Sequence, residues 1–531
     1  MTERRAMLDE DLRALPTIVA DRAADDPTRL LLKDTDGNGR TYRQVHEAGL
    51  RWAARLRELG VERGSTVAVM LPTSFDAIEV WLGIAWLGAI EVPINTGYRG
   101  RMLEHVLDDS ATALVITTSR FAEVLRDPVA ARPGIATVVQ LDGSGADFGP
   151  GARVVDGSTT GAGPMADDVT PPAEHDIAVI LYTSGTTGPS KGVMVPWAQL
   201  CATATGSLSG IALTEDDVSY APYPMYHVSG IGLVYAVALV GGHCVLKEQF
   251  STDEFWVDVR EHGCTLTLLL GAVVQFLAAA PERPDDADNP LRLVLMVPVI
   301  ADVDRFLKRF DVAACTVFNM TETSCPLQSD GTDLGPAGSC GRPRPGYQVR
   351  LVDENDHEVP PGELGELIVR SDRPWTQMAG YWQRPEATVD AWRNQWLHTG
   401  DGFIRDEHDN YFFVDRKKDA IRRRGENISS FEVEAHVNDH PDVVESAAVA
   451  VPSEWGEDEV KVDVVLRPGS PLTAPELHAW LRERMTRFMV PRYIQLRPEL
   501  PKTPTQKIRK VELRADGINP DTWDASPRPG R

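Results

Sequence analysis

The chain has 531 residues, 42% of them hydrophobic and 25% charged, so it can bury large cores and should divide into at least two domains. Its formal net charge of -24 argues against a surface for nucleic acid or anionic membranes, both of which need basic patches to neutralise phosphate. An anionic ligand must then be held by local groups.

In chain order, short Val/Ile/Leu-rich runs alternate with amphipathic helical patterns, the rhythm of α/β layers. Residues 1–11 hold no apolar run of signal-peptide type. Thr66 to Leu71 reads as a buried strand, Ser74 to Leu87 as the helix after it, and Ala113 to Thr117 and Thr137 to Leu141 as further strands. Asp142 to Asp176 is rich in Gly, Pro, Ser, Thr and Asp, as a long surface connection would be. A strand from Ile177 to Tyr182 then runs into a Thr/Ser/Gly-rich loop. Leu266 to Ala280 is the longest apolar stretch; interrupted by Thr267, Gly271 and Gln275, it predicts a buried strand and helix and no membrane span. Gly338 to Arg370 predicts a small β-rich subdomain. After Asp415 the charge density rises, and a second unit follows with a helix (Phe431 to His440), strands (Ala447 to Val451, Val460 to Leu466) and another helix (Ala474 to Phe488).

The six cysteines form no C-x-x-C pair and several lie in apolar runs, the pattern of reduced, buried thiols in a cytoplasmic protein. Only 10 residues are lysine, yet Lys502, Lys507 and Lys510 crowd one short segment near the C-terminus.

The loop Thr183-Ser184-Gly185-Thr186-Thr187-Gly188-Pro189-Ser190-Lys191-Gly192 follows a buried strand. Its glycines let backbone N–H groups face an anion, its hydroxyls add donors and Lys191 supplies a point charge, a composition suited to polyphosphate. It is not the common G-x-x-x-x-G-K-[ST] loop, because Gly185 and Gly188 are three apart and Lys191 precedes Gly192.

With four further elements in order, the chain resembles the adenylate-forming superfamily of acyl-CoA synthetases, nonribosomal-peptide adenylation domains and luciferases, the AMP-binding enzymes. Phe318-Asn319-Met320-Thr321-Glu322-Thr323 is similar to the family element whose aromatic residue borders adenine, whose Thr contacts phosphate and whose Glu helps to hold Mg2+. Trp396 to Asp401 resembles the segment whose Asp, here Asp401, binds the ribose hydroxyls. Asp415 to Asp419 resembles the domain junction, implying that Arg416 reaches the nucleotide and Lys418 is the hinge. Pro501 to Lys507 is similar to the element that carries the catalytic lysine, here Lys507.

The resemblance implies an α/β protein: a large N-terminal domain of layered α/β subdomains (1–415) with a small β-rich subdomain, a hinge (416–420), a small mobile α+β C-terminal domain (421–514) and a flexible tail (515–531). It implies ATP-dependent adenylation of a small acid, with Thr183, Ser184, Gly185, Thr186, Thr187, Gly188, Lys191, Phe318, Asn319, Met320 and Thr321 at the nucleotide. Glu322 and Thr187 would hold Mg2+. Attack of a carboxylate on the α-phosphorus brings two anions together, so catalysis is largely positioning and charge neutralisation, the work assigned to Lys507.

Gln506 and the segment Arg424 to Ser429 look most like the carnitine/crotonobetaine-CoA ligase-like branch, while Val297-Pro298-Val299-Ile300 departs from the family's Gly-Gly-Ala-Pro. The segment Pro224 to Gly230 resembles the gate of the acyl site, which makes His227 a wall or catalytic gate; Val228, Met296, Val299 and Cys325 are candidate lining. Such an apolar lining suits an aryl or unsaturated acyl group.

Three acceptors or fates remain open. Rotation about Lys418 would exchange Lys507 for Gly425 and Glu426 at the site mouth and admit coenzyme A, with the run Arg422 to Arg424 near its phosphates. Transfer to an amine or carrier protein, including nitrite activation for diazotising an aryl amine, is the second reading. A nucleotide-binding regulator without turnover is the third.

Overall fold

In the computed structural model the described residues are 12–143, 145–183, 190–208, 210–300, 302–416, 421–423, 426–428, 430–452, 458–485, 489–502 and 508–525. They divide into two compact units: Met1–Val349, Val369–His398 and Glu407–Tyr411 form the first, and Arg350–Ile368, Thr399–Asp406 and Phe412–Arg531 the second.

The first unit is built on two large sheets. In chain order, the eight-stranded sheet takes β1 (Thr66–Met70), β2 (Ile90–Pro93), β3 (Leu114–Thr117), β4 (Thr137–Gln140), β5 (Arg153–Asp156), β6 (Ile177–Thr183), β7 (Lys191–Pro196) and β8 (Gly380–Tyr381). Their spatial order is β8-β7-β6-β2-β1-β3-β4-β5. The strands from β1 to β6 pair in parallel. Their nearly continuous Val/Ile/Leu runs suit a sheet buried on both faces. β7 and β8 are antiparallel, with Thr183 opposite Lys191 and Tyr182 opposite Gly192. The strand β5 lies in the stretch expected to be surface connection: only four residues long, Arg153 to Asp156 carry too little periodicity to stand out among flanking glycines.

The second large sheet has seven strands, in the order 313–315, 293–297, 266–270, 218–221, 243–246, 30–34 and 39–41. Helices pack between and around these sheets for identifiable local reasons. Tyr42–Glu58 begins with a Thr41/Gln44 capping box, and Phe75–Trp86 with the Ser74 hydroxyl accepting the Ala77 N–H. α1 (Arg101–Ser110) buries Leu103, Val106 and Leu107 on one stripe. α2 (Trp197–Ser207) follows β7 directly, and Trp197 stacks on Trp81 in the central core. α3 (Val228–Val240) starts at His227. Gly230, in its first turn, is forced by close packing: a Cβ there would lie 2.5 Å from the Pro224 carbonyl oxygen.

The strands Tyr347–Val352, Gly365–Ser371, Leu397–Arg405 and Tyr411–Arg416 form a four-stranded sheet. In the second unit, α4 (Ser430–Asn438), β9 (Val443–Pro452), β10 (Asp458–Leu466), α5 (Ala474–Arg482), β11 (Tyr493–Arg497), α6 (Lys510–Asp516) and β12 (Trp523–Asp524) surround their own core of Val433, Val437, Val460, Val462, Leu477 and Ile494. β9 and β10 are antiparallel, β10 and β11 parallel. β12, in the stretch expected to be a flexible tail, pairs with β11 through Trp523 opposite Ile494.

Candidate functional site

β6 and β7 deliver the two described ends of the glycine-rich loop side by side, Thr183 beside Lys191. Gly192 must be glycine: a Cβ would lie 2.7 Å from Ile180 Cγ2 and 3.1 Å from Tyr182 Cζ. The ammonium of Lys191 sits 4.8 Å from the centroid of the Tyr381 ring. A π-face holds a cation without using its hydrogen atoms, so all three N–H donors stay available to an anion.

The Tyr381 hydroxyl donates to Glu322 Oε1 at 3.1 Å. Burial, then the charge and hydrogen bond of Glu322, push this phenol well above its ordinary range and keep it a donor. Glu322 is half-buried, and its backbone carbonyl accepts the Met378 N–H at 2.9 Å. The Gln199 amide, on α2, donates to the carbonyls of Thr321 (2.8 Å) and Thr323 (2.6 Å), and Thr323 Oγ1 accepts the Met320 N–H at 3.2 Å. Asn319 has a buried Oδ1 with no hydrogen-bond partner among the described residues, an acceptor that a donor group would satisfy. Phe318, on the short strand Val317–Phe318, begins this turn.

Glu322 is the carboxylate of this cluster, and Mg2+ retains waters and is held by one or two carboxylates together with substrate phosphates, so the donor set fits it. Among the described residues no three His, Cys, Asp or Glu side chains converge.

At the start of α3, His227 Nδ1 accepts the Ser229 N–H at 3.2 Å and lies 2.9 Å from the Ser229 hydroxyl. Accepting a backbone N–H places the ring proton on Nε2. Val228 and Val299 are half-buried. Met296 and Cys325, expected as pocket lining, are 0% exposed and packed in cores, with Cys325 Sγ 3.4 Å from Ser207 Oγ and 3.6 Å from the Thr203 carbonyl. Both therefore belong to cores and present no surface to a ligand, as small or apolar side chains commonly do.

In the second unit, Asp401 is buried, and the turn before it is fixed by Thr399 Oγ1 donating to the Leu367 carbonyl and by the Gly400 N–H donating to Glu366. Arg423 turns inward: it pairs with Glu459 at 2.7 Å and donates to the Val490 carbonyl. Lys502 pairs with Glu445 at 2.6 Å and Lys510 with Glu434 at 2.8 Å. Lys502 also bridges Ile508 across the base of the segment 503–507. Ser184, Gly185, Thr186, Thr187, Gly188, Lys418, Gly425 and Lys507 lie outside the described residues, as do the side chains of Arg416 and Glu426.

Tyr381, Gln199, Tyr182, Asp109 and His105 were not anticipated. Tyr381, Asp109 and His105 come from distant parts of the chain, and the available signal was weak: Gly380-Tyr381-Trp382 stands as an isolated aromatic pair after glycine.

A family model described as AMP-binding enzyme matches residues 19–382, and one described as AMP-binding enzyme C-terminal domain matches 432–507. The crotonobetaine/carnitine–CoA ligase of Citrobacter koseri is 30% identical over 501 residues, covering 92% of this chain and 96% of that protein. Its counterpart from Salmonella arizonae is 31% identical over 500 residues, with the same coverage. Among solved structures, the anthranilate CoA ligase AuaEII in complex with anthranoyl-AMP superposes with a TM-score of 0.84 at 26% identity, covering 96% of this chain and 98% of that one. ATP-bound MatB from Rhodopseudomonas palustris gives 0.83 at 26% identity, covering 94% and 98%.

Proposed function

Since the chain belongs to the AMP-binding enzyme family, we propose that the cluster of Lys191, Tyr381 and Glu322 is the phosphate end of its adenylation site. The protein is an ATP-dependent, AMP-forming acid ligase of the acyl-CoA synthetase kind, using ATP and Mg2+ with a small acid and coenzyme A as co-substrates. The single observation that carries the assignment of the site is the lysine held on a phenol ring whose hydroxyl is bonded to the carboxylate.

In the first half-reaction a carboxylate oxygen of the acid attacks the α-phosphorus, the bond to the β-phosphate breaks and pyrophosphate departs. Lys191 and the loop that it ends offset the charge of the leaving group. Glu322 and Thr187 would hold Mg2+, which when bound would neutralise phosphate charge. Thr321 and Asn319 meet the nucleotide, Phe318 and Met320 border it, and Asp401 and Arg416 bind it from their own segments. Lys507 stabilises the charge that develops during attack, a positioned-donor effect. In the second half-reaction the thiol of coenzyme A attacks the acyl carbon and AMP leaves, with Gly425 and Glu426 at the acceptor tunnel after rotation about Lys418.

His227, Val228 and Val299 form the acid pocket, and the apolar character of the last two favours an aryl or unsaturated acyl group. The relatives named above favour coenzyme A over an amine or carrier-protein acceptor, which no observation supports. Among the described residues no helix is long and apolar enough to cross a membrane. Five buried cysteines support a reducing, cytoplasmic setting.

Incubation with ATP, Mg2+ and a panel of acids, with and without coenzyme A, tests the reading by mass spectrometry. Pyrophosphate release followed by a CoA thioester is expected. Release without any thioester would overturn the acceptor, and no release with any acid would overturn the enzyme reading.

A further inference from the structure

On α1, His105 and Asp109 lie four residues apart on one face. They are not among the residues that the sequence singles out; His105 bonds to the returning end of the glycine-rich loop and Asp109 to the strand that leads into it. His105 Nε2 lies 2.7 Å from the carbonyl oxygen of Ser190, the residue before Lys191. A carbonyl only accepts, so the imidazole donates from Nε2. Its ring meets the Tyr182 ring edge-on at 6.1 Å. Asp109 accepts the Tyr182 hydroxyl at 2.9 Å, one residue before Thr183.

The aspartate is also a junction. Its side chain is 5% exposed and pairs with Arg384, and its backbone carbonyl accepts the Trp382 indole N–H at 3.1 Å. The backbone N–H of Trp382 donates to the Gly192 carbonyl at 2.7 Å. Tyr182 and Gly192 face each other across β6 and β7. One turn of α1 thus grips the outgoing strand through Tyr182, the returning strand through Ser190, and the segment that carries Tyr381 through Trp382 and Arg384.

We infer that His105 and Asp109 are positioning residues for polyphosphate binding: they fix where Thr183 and Lys191 stand before the ligand arrives. The inference rests on the reading of Lys191 as a phosphate contact. Holding these two residues in place matters because backbone that must be ordered on binding loses conformational entropy, which weakens affinity for the ligand that it contacts. The loss should therefore concern the β- and γ-phosphates, not the nucleoside.

Titration calorimetry on the full-length chain with MgATP and, separately, with AMP tests this. His105→Ala removes the donor and is expected to weaken MgATP about tenfold, the equivalent of one hydrogen bond, and AMP little. His105→Gln keeps a donor of similar reach and restores affinity to within about threefold of the parent. Tyr182→Phe, nearly isosteric, deletes only the bond to Asp109 and weakens MgATP by about threefold to tenfold. Parallel loss of MgATP and AMP affinity would mark general damage and overturn the inference. Unchanged MgATP affinity in Tyr182→Phe and in His105→Ala would overturn it too. A parent chain that does not bind MgATP would sink the function reading and this inference together, which separates that failure from the others.

Discussion

Lys191 in the first unit and Lys510 in the second are both lysines flanking a motif of the adenylation chemistry, yet their surroundings differ in kind. Lys191 rests on an aromatic face, with Glu322 held one phenol away. Lys510 is clamped at 2.8 Å by Glu434, whose Oε1 also accepts the Ala448 N–H at 2.7 Å, and Lys502 is clamped at 2.6 Å by Glu445. A lysine neutralised by direct contact with a carboxylate has no charge left for an incoming anion; one held by a ring does. Of the three lysines crowded near the C-terminus, the two described ones, Lys502 and Lys510, are therefore structural staples.

The comparison can be broken most forcefully inside the second unit. Lys461 is 0% exposed, its pKa lowered by burial, and it shares Asp463 with Arg497 at 3.3 Å and 2.6 Å. Asp463→Ala removes the carboxylate beside the buried Lys461, while Arg497 keeps Asp516 at 2.6 Å, and should cost about 3–5 kcal/mol, read as early melting of this unit by calorimetry. Lys507→Ala should lower pyrophosphate release by about 10²- to 10³-fold while MgATP affinity stays near that of the parent. Similar rates in parent and variant would end the role given to Lys507. Lys510→Ala should do the reverse, losing about 1 kcal/mol of stability by denaturant titration and retaining more than about half of the adenylation rate.

The smallest effect returns to the first unit. Burial, then repulsion from Asp76, raises Glu79 to about 7 despite Arg40 at 3.3 Å. The folded state then holds this proton between the unfolded pKa near 4.5 and about 7, so stability falls as pH rises through that window. Glu79→Gln should raise Tm by a few degrees at about pH 8 and hardly at all near about pH 4.5.

Much of the first unit was legible because its strands are continuous apolar runs and the helix read from Ser74 is capped there. The glycine-rich loop and the segment around Glu322 carried the site by composition and order. What was not legible shares one cause: Tyr182 and Asp109 are 73 residues apart and Arg384 and Asp109 275, and hydrogen bonds over such separations leave no periodicity in the string. Met296 and Cys325 were placed on the pocket by their nearness to motifs, but nearness in the chain does not say which way a side chain packs, and these two went to the core.

The antiparallel pairing of Thr183 with Lys191 has a further consequence for how this site tolerates change. Lengthening the connection between the two strands leaves both anchor points where they are, so the loop can be re-engineered or diversified without moving the lysine. A single-residue deletion within Gly192 to Pro196 is a different event: it shifts the strand by one place, and Lys191 turns to the opposite side of the sheet. Tolerance to insertion and intolerance to deletion therefore meet within a few residues of one another.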